Sequence, residues 1–412
     1  MNENLQLPAD FHLKERRDTL SGKTLLTIRH ISGLTLKVLP FPGFTRKFAA
    51  LTVPCGAIHT RFKLGENTIA VPAGTAHFLE HCVFSRDEEG GLSGRLSSLG
   101  ASANAYTTYD HTLYYFATAT SFTEALQVWL DALITPRLDE QRVEMERPII
   151  LAELDQYLDD PDTRCTQLMM ENLYAAHPVR EDIGGTAASV QAIRAEDLVA
   201  LWSAWYQPAA LTLTLAGDIE LNPLLEDLAR RLALPGASAP HLLPEPLFPE
   251  EQRWPLSSQQ YQQMDVAAPL FLTGIKNTAM PANMKNGMER ALYQRTARLV
   301  LDTLLSAVSP LYDQLYHEGL LNDSFSYHLA DDTSFSFIAC GGESERPAEA
   351  AEKLQAGLIA SCRKGLDTTI FEAQKRAAAG DIVRMLDSVE QAGLAQARSN
   401  LLGLDLFDYP AI

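Results

Sequence analysis

The spacing of apolar positions along the chain divides it into strand-like and helix-like stretches. TLLTIRHI (24–31), LTLKVLP (34–40) and FAALTVPCG (48–56) are short runs rich in β-branched residues, each bounded by turn residues, and predict β-strands. A helix follows from about Ala73 to Phe84, and ANAYTTYDHTLYYFATA (103–119), alternating and rich in Tyr and Thr, predicts one long strand. Helices are predicted from Phe122 to Ile134 and from about Asp139 to Leu158, the second stopping at Asp159-Asp160-Pro161. ALTLTLAGD (210–218) predicts a closing strand.

The C-terminal half repeats this order in weaker form. APLFLTGIK (268–276) predicts a strand and MERALYQRTARLVLDTLLS (288–306) a helix, while SFSYHL and TSFSFIAC predict a hairpin, with two helices after Pro347. A helix–hairpin–helix–helix order met twice predicts an internal duplication. The second copy, ending at Ile412, is expected to be abridged or clipped, because it lacks the last helix and strand of the first. Between the halves, the stretch 234–258 carries prolines at 235, 240, 244, 246, 249 and 255, which suits neither helix nor central strand. The expected organisation is a domain at 1–233, a Pro-rich linker at 234–258 and a related domain at 259–412, in an α+β fold. A length of 412 residues agrees with two domains.

Composition narrows the function. The net charge of −18 disfavours nucleic acid as a partner. No apolar run is long enough to span a bilayer, and the N-terminus lacks a signal core, so a cytoplasmic protein without membrane partners is expected. The five cysteines, at 55, 82, 165, 340 and 362, form no CxxC pair and are read as small buried hydrophobes in a reducing compartment.

The chemistry concentrates in Gly74-Thr75-Ala76-His77-Phe78-Leu79-Glu80-His81. On a helix, His77 and His81 are four apart and project from one face, with Cβ atoms about 6 Å apart. Two imidazoles so placed can reach one tetrahedral Zn²⁺. Glu80, on the flank of that face, can act on a water in an open coordination position without being a ligand. A third protein ligand must come from elsewhere. Glu153 is the best candidate, because its apolar neighbours Ile149, Ile150, Leu151 and Ala152 predict a buried carboxylate that needs a partner. Glu146, two helical turns earlier on the same face, either orients a ligand histidine by accepting its ring N–H or pairs with Arg142 or Arg147.

HFLEH followed about 70 residues later by E-x6-E resembles the inverted-motif zinc peptidases of the pitrilysin, insulinase and mitochondrial processing peptidase group. LGASANAYT (99–107), DHTLY (110–114), His177-Pro178, Gly184-Gly185-Thr186, Tyr206-Gln207-Pro208 and Ala216-Gly217-Asp218 extend the likeness. The interval from His81 to Glu153 is a few residues shorter than is usual there, as a trimmed loop would make it. The resemblance implies two homologous domains, each a mixed, mainly antiparallel sheet packed with helices, forming half of a clamshell. It implies His77, His81 and Glu153 as zinc ligands, Glu80 as catalytic base and Glu146 as a carboxylate behind a ligand.

A zinc endopeptidase is therefore expected, with the strand at Asn104, Ala105 and Tyr106 offering its edge to an extended peptide substrate. The helix at 288–306 has no histidine, so the second copy is a scaffold. The family's substrate-positioning Arg and Tyr are replaced in Leu315–Asp323, where Tyr316 stands for the Arg and Asn322 or Asp323 for the Tyr. A heterodimer with a related non-zinc subunit is the expected assembly, and a homodimer the second choice. Two other readings fit the residues less well: a non-proteolytic scaffold subunit, and a metal-dependent hydrolase acting on a small molecule or a protein modification.

Overall fold

The computed structural model describes residues 5–19, 21–84, 91–233, 242–278 and 287–411. Strands β1 (Phe11–Arg17), β2 (Thr24–His30), β3 (Thr35–Pro40) and β4 (Lys47–Val53) come first, then a small hairpin of β5 (Arg61–Leu64) and β6 (Asn67–Ala70). Helices α1 (Thr75–Phe84) and α2 (Gly91–Ser98) precede β7 (Ala101–Thr107) and β8 (Thr112–Thr118). Next are α3 (Phe122–Ile134), α4 (Glu140–Asp159), α5 (Pro161–Leu173), α6 (Ala187–Ala192), α7 (Ala195–Trp205), β9 (Thr212–Gly217) and α8 (Leu221–Leu232). After the two-residue β10 (Glu245–Pro246) come β11 (Leu270–Lys276), α9 (Gly287–Leu305), α10 (Pro310–His317), β12 (Ser326–Asp331) and β13 (Ser336–Glu343). Helices α11 (Pro347–Lys364), α12 (Thr368–Leu386) and α13 (Val389–Ser399) follow. The fold is α+β, as expected, and each half runs strand, two helices, hairpin, two helices.

The first compact unit holds a seven-stranded sheet in the order β1-β2-β3-β9-β4-β8-β7. Its pairs are antiparallel except β3 with β9, which run parallel. The run 103–119 is not one strand. It folds back as the β7–β8 hairpin, with Ala101 opposite Thr118 and Thr107 opposite Thr112. No glycine or proline marks the turn. Instead the Thr108 amide donates to the His111 carbonyl at 2.8 Å, and Asp110 Oδ1 lies 2.9 Å from His111 Nδ1.

Spatial grouping does not follow chain order. Residues 1–151, 183–247 and 383–407 form one unit, and residues 152–182, 248–382 and 408–412 the other. This differs from the sequential division at 233 and 258, and the reasons are local. In the second unit α5 covers β11, where a Cβ on Gly274 would lie 2.8 Å from Met169 Sδ and 2.9 Å from Leu173 Cδ1. In the first unit α13 covers β4 and β9. Thr52 Oγ1 donates to the Ala397 carbonyl at 2.9 Å, and Asn400 Nδ2 to Thr214 Oγ1 at 2.9 Å. Past α13, Asp405 pairs with Lys37 and with Arg16 Nη1 at 3.2 Å.

The second unit carries the sheet β11-β13-β12 over a core of Phe271, Leu304, Leu305, Leu315, Leu354 and their neighbours. The expected linker lies outside the described residues at 234–241. Its remainder is largely irregular and is tied down by Glu251, whose carboxylate accepts from the amides of Ala175, Ala176 and His177 at 3.0, 2.8 and 2.7 Å. Burial opposes ionisation there, yet these amides and Lys276 hold the carboxyl down to about 2. Among the cysteines, Cys55, Cys82 and Cys340 are buried as expected, but Cys165 is only partly covered and Cys362 is exposed on α11. Among the described residues no helix is long and apolar enough to cross a membrane.

The α13 packing makes a test in which two effects oppose. Replacing an interior helical glycine by alanine ordinarily stabilises by about 1 kcal/mol. A Cβ on Gly393 would however press into the Phe48 ring, lying 2.8 Å from Cε1, and that ring is fully buried. Overpacking of this kind costs about 1–3 kcal/mol. Gly393→Ala is expected to lower the thermal midpoint by a few degrees, and a rise would show that α13 does not seat on β4 in this way.

Candidate metal centre

Helix α1 begins where two glycines let backbones touch. Gly74 has φ 85° and Gly185 φ 80°, and a Cβ on either would lie 2.8 Å from a carbonyl carbon of the other segment, Gly184 or Ala73. Thr75 Oγ1 donates to the Pro72 carbonyl at 2.7 Å and starts the helix. Ala76, Phe78, Leu79, Cys82 and Val83 are buried, leaving His77, Glu80 and His81 on a partly open stripe. The two imidazole centroids are 4.6 Å apart. Burial, with Glu146 nearby, pushes the Cys82 thiol up to about 12, and Cys82 is not in the group of ligand atoms formed by His77, His81 and Glu153.

Helix α4 brings the carboxylates. Its buried stripe runs through Val143, Glu146, Arg147, Ile150 and Leu154, and Glu146 is 3% exposed. Glu153 is only partly covered, and its neighbour Ile149 is 54% exposed. The expectation that Glu153 is buried by apolar neighbours was therefore mistaken, because the flanking apolar residues fall on different faces of the helix. The structure nevertheless brings Glu153 to the histidines: one ligand atom each of His77, His81 and Glu153 lies within 4.8 Å of the other two. The division between the units falls inside α4, which is one continuous helix carrying both Glu146 and Glu153.

Two imidazoles and one carboxylate suit zinc. Ligand atoms around a tetrahedral zinc stand about 3.4 Å apart, so modest closure of these three side chains would complete the set. The residues fit the ion. Among the described residues no second group of this kind is present. Helix α9 has no histidine. Tyr316 is exposed on α10, and Asn322 is engaged locally, its Oδ1 accepting from the Ser324 amide at 2.8 Å.

Glu146 meets two of the three partners weighed for it. Its Oε2 lies 3.9 Å from His81 Nδ1 and its Oε1 3.9 Å from Arg142 Nη1, both longer than hydrogen bonds. Arg147 turns away, to Glu144 Oε1 at 3.0 Å and to the carbonyls of Val190 and Ile193. Two further contacts were not foreseen. Thr107 Oγ1 donates to Glu80 Oε2 at 2.6 Å, and Tyr157 Oη donates to Glu153 Oε1 at 2.5 Å. The four-residue spacing of Glu153 and Tyr157 was a usable signal on a helix; nothing in the sequence linked Thr107 to Glu80.

The strand holding Asn104, Ala105 and Tyr106 is β7, the last strand of the seven. Asn104 Oδ1 accepts from the Ala105 amide at 2.9 Å, and Tyr106 Oη accepts from Arg398 Nε on α13 at 3.1 Å. One side of β7 is thus a sheet edge, with a backbone donor held by a side chain that an incoming strand could displace.

The Tyr157 contact is testable through metal affinity. Its hydroxyl draws charge from the Glu153 carboxylate, which weakens a ligand, but fixes the carboxylate's orientation. Loss of such orienting partners commonly costs 10–100-fold in affinity, so orientation is the larger effect. Tyr157→Phe is expected to weaken zinc binding about tenfold in a chelator competition; unchanged affinity would assign the contact no part in holding the ligand.

Residues 66–187 match the family described as insulinase (peptidase family M16), and residues 192–378 match the peptidase M16 inactive domain. The uncharacterized zinc protease YmfH of Bacillus subtilis is 30% identical over 391 residues, covering 94% of this chain and 89% of that protein. The crystal structure of an M16-like peptidase from Alicyclobacillus acidocaldarius superposes with a TM-score of 0.84 at 28% identity, over 99% of this chain and 92% of its own. Pitrilysin gives a TM-score of 0.63 at 17% identity, a likeness of fold, over 98% of this chain and 41% of the pitrilysin chain.

Proposed function

Because the chain belongs to the insulinase family, peptidase family M16, we propose that it is a zinc-dependent endopeptidase acting on extended or unfolded polypeptide. The observation that carries this reading is the convergence of His77, His81 and Glu153, with Glu80 beside them on α1. A non-catalytic scaffold would need none of these groups together, and YmfH is itself named a zinc protease.

Zinc held by the three residues would polarise the scissile carbonyl and acidify a water at the same place. Glu80, fixed at Oε2 by Thr107, takes the water's proton and returns it to the leaving amine nitrogen. Glu146 faces His81 Nδ1, which leaves Nε2 of that ring for the metal. The edge of β7 at Asn104, Ala105 and Tyr106 takes the substrate as an added strand, so backbone pairing fixes the peptide while tolerating many sequences.

The working assembly proposed is a heterodimer with a related subunit that lacks the zinc residues, a homodimer being the second choice. This chain matches only 41% of the pitrilysin chain, and Tyr316 and either Asn322 or Asp323 stand where the resemblance calls for an Arg and a Tyr.

Metal analysis paired with cleavage of an unstructured peptide mixture tests the reading. The wild type is expected to hold one zinc and to cleave in a chelator-sensitive way. Glu80→Gln should keep zinc and lose at least about a hundredfold in rate, and His77→Ala should lose both. Normal cleavage by Glu80→Gln would refute the mechanism. Mass measurement on the natively purified chain bears on assembly, since a monomer that cleaves unaided would rule out the partner.

A further inference from the structure

The carboxylate assigned as base is held by the strand assigned to the substrate. Thr107 is the last residue of β7, directly after Tyr106, and its Oγ1 lies 2.6 Å from Glu80 Oε2. Thr112, opposite it on β8, lies 3.3 Å away through its own Oγ1, and that hydroxyl donates to the Cys55 carbonyl at 2.9 Å. A threonine hydroxyl has one hydrogen. With that of Thr112 committed to Cys55, that of Thr107 goes to the carboxylate, the stronger acceptor. Thr107 is 9% exposed and Thr112 1%, so water competes little for either.

The surroundings leave this pair little freedom. The amides of Ala57 and Ile58 donate to the carbonyls of Thr108 and Tyr109, each at 2.9 Å, clamping the hairpin turn. A Cβ on Gly56 would lie 2.7 Å from the Tyr109 carbonyl carbon, so the clamp is backbone against backbone. Facing threonines also stabilise sheets without any catalytic part. That ordinary role accounts for the pairing of Thr107 with Thr112, but not for the 2.6 Å bond that one of them makes to a glutamate on another element.

We propose that Thr107 is a positioning residue for Glu80: by holding Oε2 it sets the direction in which the carboxylate faces the reacting water. Because Thr107 continues the edge that would pair with substrate, a peptide added along β7 docks one residue from the group that aims the base. This rests on the peptidase reading above, and the test separates the two.

The experiment compares wild type, Thr107→Val, Thr107→Ser and Thr112→Val for zinc content, melting temperature, and kcat and KM on one unstructured fluorogenic peptide, with a crystal structure of Thr107→Val. Thr107→Val is expected to keep zinc and to hold KM within about twofold while kcat falls about 10–100-fold, the scale of a lost hydrogen bond to a charged group. Its structure should show Glu80 turned from its wild-type position. Thr107→Ser should recover most of kcat. Thr112→Val, which breaks the same cross-strand pair, should cost stability but less than about threefold in kcat, being the loss of a neutral pair. The inference is overturned if Thr107→Val keeps kcat, if Thr107→Ser is as impaired as Thr107→Val, or if Thr112→Val matches it. A wild type with no chelator-sensitive cleavage would defeat the peptidase reading instead, and an unmoved Glu80 in the Thr107→Val structure would then still overturn the positioning role.

Discussion

Two imidazoles four residues apart on one helix cannot by themselves hold a hydrolytic metal. They need a third group, and the candidate here, Glu153, lies on a helix about 70 residues further along the chain. Much of the fold around α1 and α4 serves that meeting. The glycine-on-glycine contact at Gly74 and Gly185 sets where α1 starts. The buried face of α1 is apolar, so its polar stripe looks outward. Helix α4 buries Glu146 and Arg147 among its apolar residues, which fixes its rotation and so the side on which Glu153 emerges.

The carboxylates around the candidate metal centre are then steadied by neighbouring side chains. Each carboxylate in the cluster meets a hydroxyl or a cation: Thr107 for Glu80, Tyr157 for Glu153, Arg142 for Glu146. A hydrogen bond or ion pair of this kind holds a carboxylate in one orientation. The edge strand is supported in the same manner. Its donors and hydroxyls engage Asn104, Arg398 and Glu80 and remain at the sheet's rim.

What the sequence disclosed follows the range of the interactions involved. Helix α1 and its chemistry were legible because motif, apolar periodicity and glycine start coincide within about ten residues. Helix α3 was legible to its ends because its apolar residues recur at helical spacing. The β7–β8 turn was not, since Thr108, Asp110 and His111 make it with side-chain hydrogen bonds and no glycine or proline announces it. Helix α2, with Gly91 and Gly94 among its eight residues, carries little apolar periodicity to read. Glu153 was reached by a burial argument that failed at Ile149 and by the E-x6-E pattern of the resemblance, and Glu146 by its spacing from Glu153. The exchange of α5 and α13 between the chain halves depends on fits at Gly274 and Gly393, which only coordinates reveal. The lack of histidine on α9 was legible directly, and this part of the chain matches the peptidase M16 inactive domain.

The most direct measurement is anomalous diffraction at the zinc edge on crystals of the zinc-loaded protein. One zinc is expected, about 2.0–2.2 Å from a nitrogen of His77, a nitrogen of His81 and a carboxylate oxygen of Glu153, with Glu80 outside the coordination sphere. Zinc bound elsewhere, or bound here with Glu80 as a ligand in place of Glu153, would contradict the account.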